Sequence, residues 1–360
     1  MDFSFSAAEV AFRSELRAWL AANLPKGWGT TVFEPDDEVA RAQFRLDWEK
    51  KLYRGGWNGI NWPTKYGGRG ASLVEQAIFA EPGADTGAPP SGKGCEKMDI
   101  VFIVDDSGSM GEEQTNLASN FPQFVKVLNE YKTKSGAKLD YRIAVTTTGR
   151  DVKYTISSPL GPLSQSEKGD NGAFRNTKSC NVTGRWLEHT DPNAATEFAC
   201  LAKGGTSGPS IEMPLQSLKL ALNERMADGT NAGFLRPDAL LGVVIMTDED
   251  DCSRTDDNFT ITDDSCDKVA QVPVADYATM LDTVAKGKGR WATAVIAGPG
   301  PGDCSSSFGK AIEAKRMKAF ASLAGKNGTF SSICDGDLTK SLKQALDTFD
   351  AACKNFPGPN

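Results

Sequence analysis

From Met98 to Ala352, short runs of β-branched and apolar residues alternate with stretches whose apolar residues recur at helical spacing, and few architectures accept that alternation. The run DIVFIV (99–104) precedes a segment, 116–131, in which Leu117, Phe121, Phe124, Val125, Val127 and Leu128 recur at near-helical spacing. The run YRIAVTTT (141–148) follows. The order then repeats: a helix over 211–225, the strand LLGVVIMT (240–247), a helix over 276–285, the strand WATAVIAG (291–298), a helix over 308–323, the strand TFSSI (329–333) and a helix over 338–352. Strands joined through helices run parallel, and strands apolar on both sides are buried on both faces. The pattern predicts a doubly wound, mostly parallel Rossmann-like α/β sheet, whose ligands would sit beyond the carboxyl ends of the strands.

That pattern does not begin at residue 1. The stretch PGADTGAPPSGKG (82–94) cannot sustain a helix or a central strand and reads as a linker. It divides the chain into a helical segment (1–82), a linker (83–95) and the α/β domain (96–355). Five of the seven tryptophans precede the linker and all eight cysteines follow its glycines. Ser6-Ala7-Ala8-Glu9 is a capping box that opens a helix carrying Val10, Leu16, Trp19, Leu20 and Leu24. A second helix, 38–53, offers Phe44, Leu46, Trp48 and Leu52, and two or three helices fit the segment. The words GWNGINWPTKYGGRGASLVEQAIFAE (56–81) make residues 1–82 resemble the start of an acyl-CoA dehydrogenase N-terminal domain. In that family the flavin lies between a later β-domain and the C-terminal helical domain, which supplies the catalytic carboxylate. Nothing after Glu81 continues the likeness, so it implies no FAD, no enzyme chemistry, and apolar helix faces left without their usual cover.

An even cysteine count, without CxxC spacing and with His189 the sole histidine, reads as a disulfide framework in preference to a zinc site or buried thiols. Proximity pairs Cys180 with Cys200, Cys252 with Cys266 and Cys304 with Cys334, leaving Cys95 with Cys353 as a clasp between the domain ends. Such chemistry belongs in an extracytoplasmic compartment: secreted, periplasmic or cell-surface. The start MDFSFSAAEV has neither a basic nor an apolar leader region, so no export signal is expected within it. No apolar run approaches a membrane span, and a net charge of -7 disfavours nucleic acid.

The first strand ends in the loop Asp105-x-Ser107-x-Ser109, which can turn one carboxylate and two hydroxyls toward a common point. These are hard oxygen ligands, suited to Mg²⁺ first and to Ca²⁺ or Mn²⁺. VVIMTDEDD delivers Asp248 to the same edge, and KGGTSGPS offers Thr206, with Ser207 or Ser210 able to take its place. Together Asp105, Ser107, Ser109, Thr206 and Asp248 resemble the metal-ion-dependent adhesion site of the von Willebrand factor A family, over residues 96–353. The resemblance implies direct metal ligation by the hydroxyls, aspartates acting directly or through water, and an open position that a protein partner's acidic residue completes. The alternative is a structural or unused metal site.

The long segment 148–208 reads as a partner-facing rim or as a disulfide-pinned excursion with a hairpin near 154–156. Asp250, Asp251, Asp256, Asp257, Asp263 and Asp264 read as a solvated acidic loop or a second Ca²⁺ site. No G-x-S-x-G elbow, P-loop or cysteine–histidine pair supports catalysis. Three functional readings stand: a metal-dependent protein-binding module, a flavin-dependent acyl-CoA dehydrogenase or accessory fragment, and a fused reading frame whose α/β domain is only a scaffold.

Overall fold

The computed structural model describes residues 6–24, 37–79, 94–133, 135–263, 265–306, 309–335 and 338–357. They form two units, 1–91 and 92–360. The linker expected at 83–95 lies almost wholly outside the described residues.

In the first unit, α1 (Ala7–Asn23) begins at the expected capping box: Glu9 N donates to Ser6 Oγ, and Ser6 N to Glu9 Oε2. Leu24 is extended, as a residue ahead of proline must be, and ends the helix. Asp37 caps α2 (Glu38–Arg54), and a second capping box, Ser72 with Glu75, opens α3 (Leu73–Phe79). Phe12, Leu16, Leu20, Trp57 and Ile78 form the buried centre. The Arg69 guanidinium lies 3.9 Å over the Trp57 ring. Val39, Leu46 and Tyr53, spaced seven apart along α2, stay 78%, 47% and 68% exposed. Leu46 was expected to supply packing surface and instead stays half-exposed, outside the core around Trp57.

The second unit runs β1 (Lys97–Val104), α4 (Gly111–Glu130), β2 (Asp140–Thr147), β3 (Val152–Ile156), β4 (Leu163–Glu167), β5 (Leu187–Glu188), α5 (Ala194–Ala202) and α6 (Pro214–Lys219). A π-helical stretch (Leu220–Glu224) leads into α7 (Arg225–Ala227). There follow β6 (Leu240–Met246), β7 (Asn258–Ile261), α8 (Cys266–Val269), α9 (Val274–Val284), β8 (Trp291–Ala297), β9 (Cys304–Ser306), β10 (Gly309–Ala311), α10 (Lys315–Leu323), β11 (Gly328–Ser332) and α11 (Leu338–Lys354).

The six-stranded sheet has the order β11-β8-β6-β1-β2-β5, parallel except for the β5 edge. This is the mostly parallel, doubly wound sheet expected. Ile100, Phe102 and Val104 face one core with Phe121, Phe124 and Phe198, while Val101 and Ile103 face the other with Leu218, Tyr277 and Phe320. All four expected disulfides form: Cys95–Cys353, Cys180–Cys200, Cys252–Cys266 and Cys304–Cys334.

Three departures have local causes. The helix expected from 308 begins at Lys315, because β9 and β10 form a hairpin tied by Cys304–Cys334; Phe308 itself lies outside the described residues. The helix expected from 211 begins at Pro214, since backbone bonds from Met213 N to Thr148 O and from Cys252 N to Glu212 O hold its approach in place. The segment 148–208 is more ordered than expected: β3 pairs antiparallel with β4 and parallel with β7, making a separate three-stranded sheet.

Candidate functional site

Register decides where the acidic loops meet. Val104 pairs with Thr147 on one side and Met246 on the other, so β1, β2 and β6 end level. The chain winds outward from β1 through β2, then returns to β6 on β1's other side, so the sheet reverses direction between β1 and β6. Ligands of open α/β sheets sit in the crevice at that reversal. Asp105 and Asp248 each follow one of those two strands.

The Asp105 side chain is fully buried. Its Oδ1 accepts from Ser107 N at 2.8 Å, the local turn that short acidic side chains favour, and its Oδ2 accepts from Thr247 Oγ1 at 2.6 Å. The hydroxyls of Ser107 and Ser109 lie 3.1 Å apart. Asp248 is buried within reach of the Ser109 hydroxyl, and its Oδ1 has no hydrogen-bond partner. Burial and then the Asp105 charge push its carboxyl up to about 7. Burial raises Asp105 as well, and burial followed by the charges of Asp170 and Asp105 takes Asp106 to about 7.

Thr206 comes from the third loop, which is stapled to the first. Gln114 Nε2 donates to Asp105 O and to Gly205 O, and Gly205 N returns a bond to Gln114 Oε1. Gly208 N donates to Asp106 O, and a side chain at Gly208 would collide with the Asp106 carboxylate, a Cβ there falling 2.2 Å from Oδ1. Thr206, held between these ties, is exposed and near Gly111. Of its alternatives, Ser210 is occupied by Glu167 and Tyr154, while Ser207 is exposed. The structure thus brings Asp105, Ser107, Ser109 and Asp248 together and sets Thr206 on the solvent side of their loop.

Sequence reasoning overlooked three neighbours. Thr247 and Gln114 hold Asp105 and its loop; Glu212 is buried with no N–H or hydroxyl donating to its carboxyl, and burial, then the Asp105 charge and the neighbouring Glu249, hold it well above the usual carboxylate range. The available signal for Glu212 was an acid flanked by Ile211 and Met213 at a helix start, where it reads as an ordinary first-turn glutamate.

The acidic loop after β6 divides differently. Asp250 accepts from Arg316 N and Met317 N and so caps α10, Asp251 pairs with Arg316, Asp256 with Arg254 and Asp263 with Lys268; Asp264 lies outside the described residues. Those partners commit four of the loop's six acids, Asp250, Asp251, Asp256 and Asp263, to structure. Among the described residues no three carboxylate, imidazole or thiolate groups converge to hold a metal ion. A cation at the β1–β6 edge would therefore depend on hydroxyls as well as acids. The donor set fits one: two adjacent hydroxyls, two buried carboxylates and an orphaned Asp248 oxygen are oxygen ligands lacking a positive partner.

Comparison with known proteins extends the N-terminal likeness past Glu81, where it was expected to stop. Residues 6–95 match the family model of the acyl-CoA dehydrogenase N-terminal domain. Over that part the chain is 28% identical across 89 residues to acyl-CoA dehydrogenase FadE26 of Mycobacterium tuberculosis, covering 25% of this chain and 22% of that protein. It is 36% identical across 84 residues to acyl-CoA dehydrogenase IpdE1 of Mycolicibacterium smegmatis, covering 22% and 20%. The chain thus spans about a fifth of the length of these curated relatives. Among solved structures, similar chains include proximal thread matrix protein 1 from the mussel byssus, with a zinc occupied MIDAS motif (TM-score 0.39, 11% identity, 71% of this chain and 48% of that one). Others are the pilus adhesin SpaC of Lactobacillus rhamnosus GG (0.35, 10%, 72% and 31%) and the human COPII-coat protein Sec24c (0.37, 10%, 79% and 38%). No helix among the described residues is long and apolar enough to cross a membrane.

Proposed function

We propose that the second unit is a von Willebrand factor A-type domain that binds a divalent cation at Asp105, Ser107, Ser109, Thr206 and Asp248, and through it an acidic residue of a protein partner. The observation carrying this reading is the buried Asp248 carboxylate, one oxygen of which has no partner, within reach of the Ser109 hydroxyl at the sheet's point of reversal. Mg²⁺ suits this hard-oxygen set, with Ca²⁺ or Mn²⁺ as alternatives. The bound cation would supply an electrophilic position at which a partner's carboxylate replaces water.

The chain's own residues do the rest. Neutral hydroxyls from Ser107 and Ser109 add no charge, Thr247 and the Ser107 amide orient Asp105, and Gln114 fixes the Thr206 loop against it. The four disulfides support an extracytoplasmic setting for this activity. The first unit resembles one domain of a flavoenzyme and matches about a fifth of its relatives' length, and we read the protein as a binding module that carries no FAD.

Calorimetric titration of the full chain with Mg²⁺, Ca²⁺ and Mn²⁺, beside Asp105→Ala, tests the reading. Saturable heat in the native protein that disappears in the variant is the expected result. Equal heats, or none in either, would leave a disulfide-braced scaffold.

A further inference from the structure

Beneath the site lies a carboxylate that none of the five proposed ligands accounts for. Glu212 is 1% exposed, no N–H or hydroxyl donates to either of its oxygens, and the side chain within its reach is another acid, Glu249. Its place is fixed from two sides. Met213 N donates to Thr148 O at the end of β2, and Cys252 N donates to Glu212 O from the segment after β6. Ser217 Oγ, one turn into α6, also donates to Thr148 O. These bonds set Glu212 between the strand ends that flank β1, with the Asp105 and Glu249 carboxylates as its charged neighbours. A buried carboxylate without donors costs several kcal/mol unless something supplies positive charge or hydrogen bonds.

Structural use does not explain it. Three other buried acids of this unit are fully committed: Asp99 to Arg236, Asp251 to Arg316 and Ser253, and Asp250 to the first amides of α10, whereas Asp248 and Glu113 each keep one oxygen without a donor. Glu212 instead faces more negative charge.

We infer that Glu212 is an outer-shell member of the cation site, accepting hydrogen bonds from water that the ion retains and balancing its charge from below. The inference rests on the cation reading of Asp105 and its loop. It requires no convergence of three acids on one point, because Glu212 acts across a water. It also gives the third loop a second contribution, deeper than exposed Thr206: the same short stretch supplies a rim hydroxyl and a floor carboxylate.

The test uses the full chain, Glu212→Gln, Glu212→Asp and Asp105→Ala, each titrated calorimetrically with Mg²⁺ and Mn²⁺ and each melted with chelator and with saturating cation. Outer-shell partners are worth about 10- to 100-fold in metal affinity, so Glu212→Gln is expected to weaken binding by that factor and Glu212→Asp to recover part of it. Without cation, Glu212→Gln replaces a buried carboxyl by an amide that can donate to the acids beside it and should melt at or above the native protein; with saturating cation the order should reverse. A glutamate with only a structural role would shift the melt in the same direction under both conditions. Native affinity in Glu212→Gln, with binding lost in Asp105→Ala, overturns the role of Glu212 and leaves the cation site standing. Absence of binding by the native chain removes both.

Discussion

The two units cover apolar surface by unequal means. The first gathers one small core around Trp57 and leaves Val39, Leu46 and Tyr53 of α2 in solvent. The second buries both faces of a parallel sheet and adds a bridge between its ends, Cys95–Cys353, with three shorter bridges at its loops. The contrast teaches that a small helical core can leave one apolar helix stripe exposed, whereas a sheet covered on both faces, with its ends bridged, is closed on itself. It also locates the chemistry: in the closed unit, acids can be buried without partners because packing and crosslinks hold them there.

Opening the clasp should separate the units most strongly. The Cys95–Cys353 bridge closes a loop of 258 residues in sequence separation, and chain entropy values such a closure at about 5 kcal/mol. Replacing both cysteines with serine should lower the denaturation midpoint of the second unit alone. Destabilisation of both units alike would break the comparison. Next in size is Arg236→Ala. Arg236 Nε and N donate to the buried Asp99 carboxylate, and removing one partner of a buried pair costs about 3–5 kcal/mol. Adding Asp99→Asn should recover much of that loss in a chemical denaturation series.

A smaller effect is a pH dependence. Burial raises the Asp99 carboxyl to about 6 against the opposing pull of Arg236. A folded-state value above the unfolded one means the proton favours the folded state; this contribution is present below about 4 and lost as pH rises through about 6. Melting temperature measured from pH 4 to 7 should therefore show a falling component that Asp99→Asn reduces, the raised Asp106 and Asp248 supplying the rest. An identical profile in the variant would contradict this. The smallest effect belongs to the first unit: Val39→Lys with Leu46→Lys should change stability by no more than about 0.5 kcal/mol while reducing self-association in sedimentation. A large loss of stability would mean that the α2 face is covered after all.

Much of this was legible beforehand because the relevant physics is local. Period and β-branched runs located β1, β2, β6 and β8, and proximity paired the cysteines. The serine at position 6 announced α1. What escaped depended on tertiary register. Phe308 and its neighbours carry helical spacing, yet the hairpin that Cys304–Cys334 secures takes Gly309–Ala311. Asp105, Ser107, Ser109 and Asp248 were readable as a set because each follows or lies close to a strand end. Glu212 was not, because its burial follows from where Thr148 and Cys252 hold the backbone, and nothing in GPSIEMPL reveals those bonds.

The most direct measurement is differential scanning calorimetry of the full chain with Mg²⁺ and with chelator. Cation at a hundred times its dissociation constant adds about 2.7 kcal/mol, or about 5–10 °C for a domain of this size. The account predicts that only the transition of the disulfide-bridged unit rises, and that Asp105→Ala abolishes the rise. An unchanged pair of transitions, or an equal rise in Asp105→Ala, would contradict it.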